Sequence, residues 1–134
     1  MQPVFSSDLM MSGVTHDADF AEWFVEDVMK LHIPDPYFTV SPEGLREMTI
    51  NGRTYARQCG ISDFPSQAHF IILMWKIGPN FWQQPGFREV ALNPTIAGPE
   101  KIDRFYSVPK DQAVHAIMHP NDSYWYRGIG ADLQ

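Results

Sequence analysis

One cysteine in 134 residues, Cys59, leaves an intrachain disulfide with no second sulfur, and the default setting for such a chain is reducing and cytoplasmic. Long apolar runs are missing as well. No stretch approaches the ~18 consecutive apolar residues of a transmembrane helix, so no membrane association is expected. The opening MQPVFSSDLMMSG has no basic residue ahead of an apolar run and gives no sign of a secretory signal. Without secretion, the sequon Asn121-Asp122-Ser123 reads as a turn. The chain also lacks a Gly-rich phosphate loop, a Gly-x-Ser-x-Gly elbow, a dinucleotide fingerprint, an internal repeat and any low-complexity tract, so no cofactor is expected.

What is present suits one folded domain over residues 1–134, with residues 1–14 expected to be poorly ordered. Hydrophobic residues make up 44% of the chain and charged ones 19%, which are the proportions of a chain with a packed core. Aromatics at 13%, four of them Trp, point to a core or pocket built from rings. The net charge of −6 is carried by one end: residues 1–36 hold Asp8, Asp17, Asp19, Glu22, Glu26, Asp27 and Asp35 against the single base Lys30. Such a balance disfavours nucleic acid or anionic lipid as a partner and favours a basic protein. A solvated, solubilising helix face is the plainer alternative.

Residues 17–32, DADFAEWFVEDVMKLH, have Phe20, Phe24, Val28 and Leu31 at helical spacing, with Asp19, Glu22 and Glu26 on the opposite side. An amphipathic helix is expected, with Glu26 and Lys30 as an i,i+4 pair and Pro34 and Pro36 as its stop. Asn51-Gly52 then lies between two mixed runs and predicts a type I′ β-hairpin with strands near 45–50 and 53–58. Residues 65–77, PSQAHFIILMWKI, are apolar nearly all round and predict a buried central helix, with a strand over 69–75 as the alternative. The lone His69 there reads as a hydrogen-bonded core histidine. FREVAL (87–92), IDRFYSV (102–108), AVHAIMH (113–119) and YWYRGI (124–129) are separated by turn-rich loops and predict a C-terminal antiparallel meander. The expected fold class is therefore α+β.

His115 and His119 decide whether a sharp chemical hypothesis exists. On a helix they would lie about 6 Å apart at Cβ, close enough to share a metal. On a strand they would share a face about 13 Å apart, too far for one ion. The turn composition of PNDS and the restriction that Pro120 places on His119 favour the strand. With neither a His-Glu-x-x-His motif nor a cysteine pair to complete the ligand set, no metal site is expected.

A buried helix followed by an antiparallel meander is similar in outline to the papain-like thiol hydrolases. That resemblance implies Cys59 as nucleophile, His115 as base, and Asp122 or Asp132 orienting the imidazole, with a thiolate formed by proton transfer. Pro65 and the loop GISDFP stand between Cys59 and the helix start, so no helix dipole would assist the thiol. A structural cysteine ending a hairpin strand is the plainer reading of Cys59.

The leading expectation is a small acidic binding or inhibitory protein, leaning away from enzymatic activity. Its basic partner would meet Asp19, Glu22, Glu26 and Asp27 on helix 17–32. It would also meet Phe81 and Trp82 on the loop GPNFWQQPGF (78–87), unless those rings fold back to cap the core. Inhibitors that neutralise basic toxins or nucleases share this size and charge. A third reading is a small-molecule pocket lined by Trp75, Trp82, Tyr106, Tyr124 and Trp125.

Overall fold

Prolines start helices in this chain. Pro34 and Pro42 each open one, Pro65 and Pro99 each sit within the first two positions of another, and Pro109 immediately precedes a fifth. A proline costs a helix nothing there, because the first N–H groups have no partner within the helix anyway. The computed structural model describes residues 16–126, and among them every regular element is helical and none is a strand.

The elements run in order: α1 (Asp17–Trp23), continued without a break by a π-helical segment (Phe24–Met29) and α2 (Lys30–His32), then α3 (Pro34–Thr39), α4 (Pro42–Gln58) and α5 (Phe64–Lys76). A 3-10 turn (Phe81–Gln83) leads to α6 (Arg88–Ala91), α7 (Gly98–Tyr106), α8 (Lys110–Met118) and a final 3-10 segment (Asp122–Tyr126). Ser41 caps α4 by accepting from the Gly44 amide at 3.1 Å, and Asp63 caps α5 through the Ser66 amide at 3.1 Å.

The expected α+β class is thus corrected to all-helical. The hairpin over 45–58 is one helix, α4, with Asn51 and Gly52 in its interior, both buried. Tertiary contacts explain that pair better than turn chemistry does. A Cβ on Gly52 would lie 2.9 Å from Ile71 Cγ1 and 3.0 Å from Met74 Sδ, so glycine is what lets α4 approach α5. Asn51 Nδ2 donates to the carbonyls of Tyr124 and Trp125, both at 2.9 Å, and ties the C-terminal turn to α4. The buried central helix stands as α5, and its strand alternative over 69–75 does not.

The meander is also corrected. FREVAL falls on α6, IDRFYSV on α7 and AVHAIMH on α8, while the described part of YWYRGI is a 3-10 turn. In α7 and α8, the loop prolines and polar residues read as strand breakers serve as helix starts. Pro120 does restrict His119, but only there: His119 leaves the helical region at φ −129° and ψ 50°, so the proline ends α8 rather than extending the whole segment. The papain-like outline goes with the meander, since its implied strands are absent among the described residues. The expectation for residues 1–14 lies outside the described residues.

Helix 17–32 is present but not as a uniform α-helix. Phe20, Phe24 and Val28 are buried as their spacing predicts, whereas Leu31 is 69% exposed. The wide turn of Phe24–Met29 shifts the phase, so that Met29 and Ile33 take the inward positions instead. The Glu26–Lys30 pair is replaced by a Tyr37 wedge: the phenol donates to Glu26 Oε1 at 3.0 Å, and the Lys30 ammonium sits 5.9 Å from the ring centre.

The core is a single cluster reaching from Phe20 on α1 to Trp125 in the last turn, with α4 and α5 at its middle. Arg53 crosses it. Its Nε donates to Gln67 Oε1 at 2.7 Å, its Nη1 pairs with Asp17 at 3.2 Å, and its guanidinium lies 4.3 Å from the Phe20 ring centre.

Candidate functional site

On the outer face of the first helix, Asp19, Glu22, Glu26 and Asp27 are all exposed. Asp17, one turn earlier, is consumed internally by Arg53 at 3.2 Å and Arg57 at 3.0 Å. Glu26 accepts the Tyr37 hydroxyl, and that contact holds the Tyr37 phenol above its ordinary pKa range. Asp19, Glu22 and Asp27 take part in no ion pair among the described residues. Their charge is left for solvent or for a partner.

Phe81 and Trp82 are placed elsewhere in the molecule's economy. Phe81 is 0% exposed and Trp82 6%, so neither ring is available to a docking protein. Phe81 packs against Phe70, Phe87 and Phe105 with ring centres 5.0, 5.6 and 5.2 Å away. The loop is turned inward by its own polar residues: Gln84 Nε2 donates to the His119 carbonyl at 3.0 Å, and the Asn121 amide donates to Asn80 Oδ1 at 2.9 Å.

The residues of the thiol-hydrolase reading do not assemble. Cys59 ends α4, is 3% exposed, and has its thiol pushed up to about 11 by burial, with Lys101 pulling it down by less. A thiol that stays protonated at neutral pH is a poor nucleophile. Its electrostatic neighbour is that lysine rather than an imidazole. His115 is exposed on α8, Asp122 is exposed in the final 3-10 turn, and Asp132 lies outside the described residues.

His115 and His119 do share one helical turn, with ring centres 4.2 Å apart and nearly parallel. His119 Nδ1 is already engaged with the His115 carbonyl at 2.8 Å. No group of three or more His, Cys, Asp or Glu side chains able to hold a metal occurs among the described residues.

Two cavities formed by described residues bear on the pocket and thiol readings. The larger, about 550 Å³, opens where α2 turns into α3 and is lined by His32, Asp35, Thr39, Val40 and Trp75 among others. Of the five rings proposed for an aromatic pocket, Trp75 is the one that lines it. Trp75 also stacks on Trp125 at 4.2 Å, while Trp82 and Tyr124 pack on each other at 5.9 Å. Tyr106 is on the surface, edge-on to His69 at 6.5 Å. Burial first, and then the His32 imidazole, hold His69 below the usual histidine range, against a smaller pull from Asp103.

The smaller cavity, about 270 Å³, lies between the C-terminal ends of α4 and α6 and contains Cys59, Leu92, Ile96 and Lys101. Lys101, 2% exposed, is the residue that sequence reasoning missed. Its signal was the spacing Lys101, Ile102, Phe105, which shares one helical face but alternates uninformatively if the segment is read as a strand. No protein-family model matches the chain, and no curated protein or solved structure does either.

Proposed function

We propose that the protein binds a basic protein partner through the acidic outer face of the helix over residues 17–32. The observation that carries this reading is the unspent charge of Asp19, Glu22 and Asp27. Like charges on adjacent turns repel, and a helix kept for packing alone gains nothing from them. A concentrated field of one sign steers a complementary surface and accelerates its association. Inhibition of a basic toxin or nuclease is the form of this activity that the size and charge suit. The partner's contacts would be polar and exposed rather than aromatic, since Phe81 and Trp82 are buried.

The test is capture of partners from native lysate at low and high salt by the wild-type chain and by Glu22→Lys, Glu26→Lys, Asp27→Lys combined. The expected result is a basic protein held at low salt, released at high salt and absent with the reversed face. Equal capture by both chains would remove the proposal.

A second reading is favoured by the larger cavity. Its volume of about 550 Å³ falls in the range of small-molecule sites, and His32, Asp35 and Trp75 give it two titratable groups and an aromatic wall.

A further inference from the structure

Lys101 is almost wholly buried, at 2% exposure. Its Nζ donates to the Ala91 carbonyl at 2.8 Å and, in a short hydrogen bond, to the Cys59 carbonyl. No carboxylate pairs with it among the described residues. An ammonium carries three hydrogens to place, whereas a neutral amine carries two hydrogens and one lone pair. The structure supplies two acceptors. Two of its hydrogens are placed on those carbonyls, and the remaining position on nitrogen, a hydrogen when charged and a lone pair when neutral, has no protein partner among the described residues.

The surroundings favour the neutral form. A buried charge without a counter-ion tends to neutralise rather than bear the loss of water, and burial lowers the Lys101 pKa from its usual value. Lys101 also lines the cavity of about 270 Å³, whose other walls include Cys59, Leu92, Pro94 and Ile96. Gly60, at φ +78°, borders the amine: a Cβ there would lie 3.6 Å from Nζ, so the missing side chain keeps that approach open. Lysines desolvated in apolar pockets are the ones that form Schiff bases with carbonyl compounds.

We propose that Lys101 is a buried nucleophilic amine that forms an imine with a small aliphatic aldehyde entering the cavity between the ends of α4 and α6. The Nζ lone pair attacks the carbonyl carbon and forms the C–N bond, while the carbonyl π pair moves to oxygen. One nitrogen proton passes to that oxygen, giving a neutral carbinolamine. The second nitrogen proton leaves with the hydroxyl as water, and the C=N bond closes. The sum is amine plus aldehyde giving imine plus water, with no oxidant or reductant required. The mostly apolar walls favour an alkyl chain over a charged group. Cys59 does not compete, because burial keeps its thiol protonated.

The inference is independent of the acidic-face reading and is tested on the intact wild-type chain. The folded protein is treated with propanal and cyanoborohydride at neutral pH, and the propylated lysines are mapped and timed. Lys30, Lys76 and Lys110 are exposed and serve as internal references. A folded pKa held below the usual value leaves more of Lys101 neutral, so its propylation is expected to run ahead of theirs. Propylation of Lys101 no faster than that of the exposed three, or only after denaturation, would overturn the proposal and leave Lys101 as a cation closing two helix ends.

Discussion

Cys59 and Lys101 line one small cavity, and the Lys101 Nζ donates to the Cys59 carbonyl. Burial moves the thiol up and the amine down, the direction in which each becomes neutral. The thiol has a consequence for stability. Its pKa rises from 9.0 to about 11 on folding, so the folded state holds a proton that the unfolded chain has given up. The stabilisation is fully present below about pH 9 and is lost as pH rises through about 11, amounting to roughly 2–3 kcal/mol over the window. Lys101 acts in the opposite sense at pH values up to its usual 10.5, since a lowered folded pKa makes the fold gain stability as pH rises. Comparing wild type with Cys59→Ala isolates the thiol. Chemical denaturation from pH 8 to 11 is expected to show a steeper alkaline loss for wild type, and parallel profiles would contradict the burial of the thiol. The sequence signalled Cys59 by its rarity, but the partner that matters lies 42 positions away and no local pattern announces it.

Among the elements, α4 shows how a local signal can be outvoted. Asn-Gly is a strong hairpin dipeptide because both residues tolerate positive φ, yet here it sits in the interior of a 17-residue helix. The helix spends about 1 kcal/mol of propensity on Gly52 and recovers it in the close approach to α5. Gly52→Ala therefore sets two effects against each other. The propensity gain is about 1 kcal/mol, and forcing a methyl against Ile71 and Met74 costs about 1–3 kcal/mol. Ile71 is fully buried and has little room to give, so a net loss near 1–2 kcal/mol is expected in denaturant midpoints at unchanged slope. A stabilised variant would mean that α4 and α5 do not meet there. The helix over 17–32 was readable because its apolar residues follow the 3.6-residue period, and the central helix because a long run that is apolar nearly all round suits a buried helix. The short helices α6, α7 and α8 were not. Each has 9 residues or fewer, and over so few positions a helical stripe and a strand alternation are hard to tell apart.

For the whole molecule, the continuity of the core from Phe20 to Trp125 carries its own expectation. With α1, α4, α5, α7 and the last turn sharing one cluster, the chain should unfold as a unit. Tryptophan fluorescence reports Trp23 at one end of that cluster and Trp75, Trp82 and Trp125 at the other, and helical circular dichroism reports all elements together. Their denaturation curves are expected to coincide, and separated midpoints would show that the aromatic C-terminal part melts independently. The charge distribution also belongs at this scale. The composition revealed an acidic end before any fold was known, and the fold adds which acids are consumed: Asp17 by Arg53 and Arg57, and Glu26 by the Tyr37 hydroxyl. Amino-acid order alone pointed to the helices over 17–32 and 65–77 and to the charge asymmetry, because apolar patterning and charge are properties of neighbours along the chain. The tertiary structure alone decided that Asn51-Gly52 would be helix, that Phe81 and Trp82 would be core, and that Lys101 would lie beside Cys59. Each of those outcomes depends on groups distant in sequence, whose packing and burial outweigh a local preference of about 1 kcal/mol.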